Sequence, residues 1–385
     1  MKANENKKRQ PLFHVIRRND NKKVSPMLIR IASLAIGLVI AWLVLYLTEH
    51  VSVSDFFVNL YKGAFGTQRK IWITLKEFAL LLCVGLALIP AFKMKFWNLG
   101  GNGQILIGAL ACIMCMYYMG NAGINNYVIN IVSVFASIIA GIIWAVIPAI
   151  FKAHFNTNES LFTLMMNYIA AGLVSLFLTI AVKSGSGTLP TLETGQLPEI
   201  YNKYLLTIIV AVVMLIYVFI YLKFYKHGYE LEVVGESSRT AKYIGINVKK
   251  VIIRTMVLSG ALCGIVGLLL AGSIDHTIST STANDMGFTA IMTSWLAHFN
   301  PFLMIITTFL VVFLNRGMAQ VQTSYGITSD AISKIVIGIV YFCVIAAEFF
   351  ASYKIIIIHS QKYIEKKNMK KYHSLTDGLL TKEAM

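Results

Sequence analysis

Charged residues are scarce in this 385-residue chain: Asp, Glu, Lys and Arg together make up 14% of it, whereas hydrophobic residues make up 57%. A soluble domain carries roughly 25% charged residues. The shortage of charge excludes an ordinary soluble enzyme, because so many long uncharged runs could not be hidden in one core. In lipid such runs must be helical, since their backbone groups find no water to bond. The composition therefore predicts an all-α polytopic membrane protein.

Motifs for nucleotide, metal and catalytic chemistry are missing from the sequence as well. It contains no G-x-x-x-x-G-K-[ST] phosphate loop, and the glycine-rich stretch at 100–104 lacks the G-x-G-x-x-G spacing of a dinucleotide site. The eight His residues show no ligand-like spacing. Cys112 and Cys115 have C-x-x-C spacing but lie in an apolar segment without a neighbouring His or charge. We therefore predict that the chain is not an enzyme and holds no catalytic residue, metal or cofactor.

Apolar sequence, by contrast, is abundant and comes in runs of about 20 residues, the length that spans a bilayer. The segment 286–299 is also apolar but is too short to cross unaided. The nine clear runs lie near 28–48, 74–92, 99–119, 127–151, 161–182, 204–222, 252–272, 302–318 and 329–350.

Basic residues at both ends set the number of crossings. The first 30 residues hold nine Lys or Arg, and the tail after Lys354 holds six Lys. The positive-inside rule places both ends in the cytoplasm, which requires an even number of crossings. We therefore expect about ten transmembrane helices, with 286–299 as a short crossing and Asn300-Pro301 as the turn after it.

The same distribution of charge gives the domain organisation. A basic cytoplasmic region at 1–27 precedes a transmembrane domain at 28–350, and a basic cytoplasmic tail follows at 351–385. The net charge of +16 lies mainly at the ends and in the inside loops. The membrane imposes that pattern, so we predict a lipid bilayer and no nucleic acid as a partner.

A polar loop at 223–254 separates two of the spans and carries seven Lys or Arg against three Glu. Within it, 236–244 is expected to form one short amphipathic helix between two glycines that let the chain turn. Ser238 and Ala241 would give this helix a small face for close contact. Such a cytoplasmic helix is suited to a cleft of a motor protein outside the membrane. The predicted docking residues are Gly235, Glu236, Ser238, Arg239, Ala241, Tyr243, Ile244 and Gly245.

Amide side chains within the spans are the candidates for a translocation path. Asn98 and Gln104 flank the start of the third span, and Asn167 lies near the middle of the fifth. Amides at membrane depth are costly unless they face protein or a wet passage, so these three either line a path or cap and pack helices. Small residues line one face of another span and favour helix packing or a moving interface. They are Gly260, Gly264 and Gly267.

Ionisable residues within the spans are few: Lys76, Glu77, Lys334 and Glu348, each within a turn or two of a span end. Residues at such positions commonly reach the headgroups. A carrier driven by an ion gradient normally needs ionisable groups inside the membrane. The sequence therefore disfavours ion coupling and places the energy source on another chain.

Six short motifs occur in a fixed order over roughly residues 60–350. Together they resemble the patterns N-[IL]-G-x-E-G-Q, N-E-x-x-x-T-x-M-x-N-Y, V-G-x-N-x-x-A-A-x-Y-x-G-I, S-G-A-x-x-G-x-x-G, G-F-x-x-I and N-P of bacterial ABC importer permeases in the branched-chain amino acid, ribose and nucleoside group. The resemblance is greatest to the larger permease of nucleoside importers. The motifs are Asn98–Gln104, Asn158–Tyr168, Val234–Ile246, Ser259–Gly267, Gly287-Phe288 with Ile291, and Asn300-Pro301.

Four positions depart from these patterns. Asn102 replaces an acidic residue, Ser237 replaces Asn, and Arg239 and Thr240 replace an acidic-Ala pair. The last three lie in the loop expected to dock on the ATPase. They therefore leave the predicted fold unaffected, but the details of docking on the ATPase are expected to differ from those of the resembled permeases.

The resemblance implies a membrane subunit of an ATP-driven importer in the bacterial cytoplasmic membrane, forming the path for nucleosides. It adds Phe288, in the G-F-x-x-I motif, to the path candidates. Its implied partners are an ABC ATPase that holds ATP and Mg²⁺, a second permease in a heterodimer, and a substrate-binding lipoprotein. A ribose-like sugar permease and an ion-coupled carrier stay open as alternatives. The sequence does not decide which nucleoside is carried or whether the permease pair is a homodimer.

Overall fold

The long apolar runs are helical in the computed structural model, which describes residues 13–17, 26–182 and 187–357. A pair of short strands, β1 (Phe13–Arg17) and β2 (Tyr353–Ile357), was not predicted from the sequence. The helices are α1 (Pro26–Glu49), α2 (Val53–Phe65), α3 (Gln68–Lys93), α4 (Gly101–Asn121), α5 (Asn126–Phe155), α6 (Glu159–Ala181), α7 (Leu205–Phe224), α8 (Lys226–Glu236), α9 (Ser238–Tyr243), α10 (Val248–Leu268), α11 (Met286–Leu296), α12 (Pro301–Tyr325) and α13 (Asp330–Ser352).

Eight of the described helices are long and apolar enough to cross a membrane, namely α1, α3 to α7, α10 and α12. Two further apolar segments, Met286–Leu296 and Ala331–Ala347, are shorter. Together they match the ten segments read from the sequence, and the prediction of an all-α polytopic membrane protein is confirmed.

The chain divides into two compact units, one made of 1–51 with 334–385 and the other of 52–333. In the first unit, α1 packs closely against α13, because an added Cβ at Gly37 would lie 3.3 Å from the backbone of Val340. Ser33 Oγ also donates to Cys343 O at 2.7 Å. β1 and β2 pair antiparallel in this unit, with Phe13 opposite Ile357.

In the second unit, glycines join α10 to α5 and α4 at backbone distance. A Cβ added to any of three glycines of α10 would lie 2.4 Å from a backbone oxygen of a neighbouring helix. The opposing atoms are Gly141 O for Gly260, Ser137 O for Gly264, and Ile105 O for Gly267. Any larger residue would push these helices apart. The small face seen in the sequence therefore lies in a three-helix seam.

Helix α2 was missed in the sequence because its polar residues break the apolar run. In the structure those residues bond to α12, which packs along α2. Tyr325 Oη donates to Asp55 Oδ2 at 2.7 Å, and Ser324 Oγ donates to Asn59 Oδ1 at 3.0 Å. A sequence window that counts only hydrophobicity cannot anticipate partners so far along the chain.

The short apolar segment forms α11, and the chain that leads into it from α10 is irregular. After α10 the chain forms a π-helical turn at Leu269–Asp275, then runs without regular helix to α11. At its far end, Asn300 Oδ1 accepts from Phe302 N at 2.9 Å and Pro301 occupies the first turn of α12. The expected turn at Asn300-Pro301 is therefore present.

Candidate functional site

The polar loop between α7 and α10 contains two helices where one was predicted. Ser237 has extended backbone and ends α8, and its Oγ accepts from Thr240 N at 3.2 Å as the N-cap of α9. The predicted helix 236–244 is therefore wrong in its start. Glu236 is the last residue of α8, and α9 covers only 238–243.

The two glycines that flank this segment do different work. Gly245 has a φ of +84° and turns the chain after α9, as expected. Gly235 instead lies inside α8, where an added Cβ would be 2.1 Å from Lys93 O at the end of α3. It is a packing residue and makes no turn. A salt bridge between Lys93 and Glu232 joins the same two helices.

A second tie joins α8 to α10. Arg254 Nη2 lies 2.8 Å from Glu230 Oε2, and both side chains are mostly buried. This hydrogen bond lowers the pKa of Glu230 below its usual value, against a smaller opposite effect of burial. Glu230 is therefore held as a carboxylate, and α8 is anchored to two membrane helices.

Ala241 lies on the inner side of α9 and is 0% exposed, so its side chain is not part of a surface. The expectation that Ala241 contributes a close outside contact is therefore wrong; its small size fits the protein's own packing. The other predicted docking side chains of this segment face outward. Tyr243 is 93% exposed and Ile244 52% exposed, and Glu236, Ser238 and Arg239 are exposed too.

Beside α9 lies an open groove of about 760 Å³ that sequence reasoning missed. Its basic side chains come from three separate places in the chain, the end of α5, α9 and the start of α10. They are Lys152, His154, Lys242 and Lys249. Lys152 also pairs with Glu159 at 2.9 Å. The groove is concave and basic, and it adjoins the exposed residues of α9.

Three of the four predicted path residues meet at the start of α4. Asn98 is 0% exposed, and its Oδ1 accepts from Gln104 Nε2 at 3.3 Å while its Nδ2 donates to Ser259 Oγ at 3.3 Å. Asn167 Oδ1 accepts from Gly103 N at 2.8 Å, and its Nδ2 donates to Leu99 O at 2.9 Å. Asn98 and Asn167 thus hold the backbone that begins α4.

Gln104 differs from the other two amides. It is 1% exposed, yet its Oε1 has no hydrogen-bond partner among the described protein groups. A buried polar atom without a partner is costly. Gln104 is therefore buried within this cluster, and its place in a translocation path stays a prediction.

The fourth residue, Phe288, lies half-buried on α11 next to a contact that sequence reasoning missed. Asn102 Oδ1 accepts from Gly287 N at 2.7 Å, and its Nδ2 donates to Asp285 Oδ1 at 3.3 Å. A carboxylate at 102, as the resembled pattern has, would repel Asp285 at this distance. The sequence showed that position 102 is neutral, but it did not show that the acidic residue Asp285 lies beside it.

Among the described residues, no group of three or more His, Cys, Asp or Glu side chains could hold a metal ion. Glu77, one of the few ionisable groups in the spans, pairs with Arg316 at 3.3 Å.

Eight helices of membrane-spanning length, with a basic helical pair between two of them, define a polytopic membrane protein. Residues 71–345 match the family model of the branched-chain amino acid transport system permease component. The chain belongs to this family.

Curated relatives cover most of the chain at low identity. It is 25% identical to the guanosine ABC transporter permease protein NupP of Bacillus subtilis, over 83% of this chain and 94% of that protein. It is 24% identical to the nucleoside ABC transporter permease protein NupB of Lactococcus lactis, over 84% and 92%. It is also 24% identical to the glucose ABC transporter permease protein TsgB13 of Haloferax volcanii, over 86% and 89%.

Proposed function

We propose that this chain is the membrane-spanning permease subunit of an ATP-driven importer of nucleosides. A separate ABC ATPase binds ATP and Mg²⁺ and hydrolyses the nucleotide. An extracytoplasmic binding lipoprotein delivers the nucleoside. This chain supplies helices around the path and takes part in no covalent chemistry.

The observation that carries the proposal is the attachment of α8, which leads directly into α9, to the membrane helices. Gly235 lies at backbone distance from the end of α3, and Glu230 is bonded to Arg254 of α10. A force applied to this helical pair from the cytoplasm therefore reaches two spans directly. A solvated loop held basic only by topology would need neither contact.

The docking surface proposed for the ATPase consists of the outward residues of α9 and the basic groove beside it. Tyr243 and Ile244 offer apolar surface area. Tyr243 is 93% exposed on a polar loop, and an exposed tyrosine of this kind suits a hot spot in a protein interface. The groove would receive an acidic segment of the ATPase, since the ionisable side chains among its lining residues are all basic.

Nucleosides are the proposed substrate because two of the similar permeases above carry nucleoside or guanosine in their names. The glucose permease at equal identity keeps a sugar as the alternative. A second permease, different from this chain, is the proposed partner within the membrane, which makes the permease pair a heterodimer.

The test is uptake by the purified complex. A tagged copy of this chain is expressed with its neighbouring genes, the co-purifying subunits are identified, and the complex is placed in proteoliposomes with its binding protein. Labelled guanosine should enter only with hydrolysable ATP, should persist with a protonophore at clamped ATP, and should not be displaced by excess glucose or ribose. Uptake that follows the proton gradient, or a complex without an ATPase, would refute the proposal.

A further inference from the structure

Helix α11 has two faces of different chemistry. At 100° per residue, its buried residues fall on one side and its outward residues on the other. The buried side is small and packs within the protein: Gly287, Ala290, Thr293 and Ser294. The outward side comprises exposed Met292 and Trp295 with half-buried Phe288. Together with exposed Asp285, the left-handed residue just before the helix, it is termed the α11 face below.

Asp285 lies inside the span of α3. Gly287, two residues further on, packs against Gly101, which also touches Leu88 of α3. The other end of α11 lies one turn of α3 further on, because Phe299 stacks on Phe92 with ring centroids 5.6 Å apart. A carboxylate inside a span is costly where it faces lipid. The α11 face is therefore expected to border water or protein.

The Asp285 carboxylate retains acceptor capacity on that face. An ionised carboxylate offers about four lone-pair sites, and Asn102 Nδ2 donates to Oδ1 at 3.3 Å. The Asn102 contact also fixes the start of α11 through Gly287 N. The acceptor is thus positioned, and it matches a ligand group that presents two adjacent donors.

Aromatic side chains continue the same face towards the cytoplasmic end. Trp295 is 48% exposed, and its ring lies 5.4 Å from that of Trp97, which is 39% exposed. Exposed indole faces stack on any nucleobase, because every base has a π-face.

We propose that the α11 face is a contact strip for the nucleoside in transit. Asp285 accepts hydrogen bonds from paired donors, either the ribose 2′,3′-diol or the N–H edge of the base. Trp295, about 15 Å further along the strip, stacks on the base at a later point of its passage. This rests on the proposed function and adds the residues that select a nucleoside within the membrane.

The test compares wild-type complex with Asp285→Asn in the same proteoliposomes. The amide keeps the size of the side chain and an oxygen for Asn102 but loses the charge. Uptake of guanosine should fall about tenfold. If the ribose diol is the donor, uptake of 2′,3′-dideoxyguanosine should be the same in Asp285→Asn and wild type. If the base edge is the donor, uptake of purine riboside, which lacks base N–H groups, should be the same in both. Glu193→Gln, on an exposed loop, is the control and should be neutral.

Stacking is tested on the same strip. Trp295→Leu should raise the KM for purine nucleosides more than for pyrimidine nucleosides, and Trp295→Phe should restore most of the difference. Equal losses for every substrate in Asp285→Asn would mean that Asp285 only holds α11, and unchanged uptake would mean that it does not face the path. Either result overturns the inference alone. Absence of guanosine uptake by the wild-type complex would instead refute the proposed function, and the inference with it.

Discussion

The contact between Gly235 and the end of α3 gives the strongest test of how α8 is held. An added Cβ at 235 would lie 2.1 Å from Lys93 O, whereas ordinary contacts begin at 3.4 Å. Because the opposing atom is backbone, Gly235→Ala must move α8 away from α3 by roughly 1 Å. Overpacking of this kind costs about 1–3 kcal/mol. That range changes the equilibrium between α8 packed on α3 and α8 displaced from it by a factor of roughly 5 to 150.

The assay is ATP-dependent uptake by the reconstituted complex, with ATPase activity and membrane insertion measured in parallel. Gly235→Ala should insert normally and hydrolyse ATP but import at least fivefold more slowly. Gly172→Ala is the matched control, since Gly172 is also helical and an added Cβ there meets nothing within 4 Å. That variant should be neutral or slightly more stable. Normal import by Gly235→Ala would show that the contact carries no coupling.

Three further outcomes are expected. Tyr243→Ala should weaken ATPase binding by tenfold or more, because it removes the most exposed aromatic of α9, while the thermal melting of this chain in detergent stays unchanged. Asn167→Leu should lower the melting temperature as well as uptake, since two hydrogen bonds to the start of α4 are lost; a loss of uptake alone would indicate a path residue. Because the folded pKa of Glu230 is lowered, its contribution to stability is present above pH 4.5 and is lost as the pH falls below that value. The wild type should therefore lose more stability than Glu230→Gln between pH 6 and pH 3.5, and equal losses would contradict the assignment.

The membrane helices were predictable because a helix that spans a bilayer needs a long apolar segment, and the length of each such segment can be counted in the sequence. The division between α8 and α9 was less visible. Ser237 is a common N-cap residue, and the backbone N–H of Thr240, three positions later, completes the cap. The signal was therefore present, but the glycines on either side favoured one helix between them.

Small residues were harder to interpret than long apolar runs. A glycine or alanine is small either because a partner approaches from outside or because its own chain approaches from inside, and the sequence is the same in both cases. Ala241 and Gly235 were assigned to an outside partner and to a turn, and both belong to internal packing. Ala241→Arg would consequently test the fold of α9, whereas Tyr243 tests docking.

Long-range polar contacts could not be predicted from one sequence. Asn102 and Asp285 are far apart in the chain, and only the folded backbone places their side chains 3.3 Å apart. The replacement of an acidic residue by Asn102 was a hint that another acid lies nearby. It did not indicate which acid, and Asp285 was not among the predicted path residues.

One helix connects the proposed docking surface with the proposed contact strip. The cytoplasmic end of α3 meets Gly235 of α8, and one turn earlier Leu88 meets Gly101 at the start of α4. Phe92 of α3 also stacks on Phe299, which follows α11. A displacement of α8 therefore reaches both Asn102 and α11 through α3 alone, while the glycine seam keeps α4, α5 and α10 together. The contacts between the proposed docking surface and Asp285 therefore run through α8, α3 and α4.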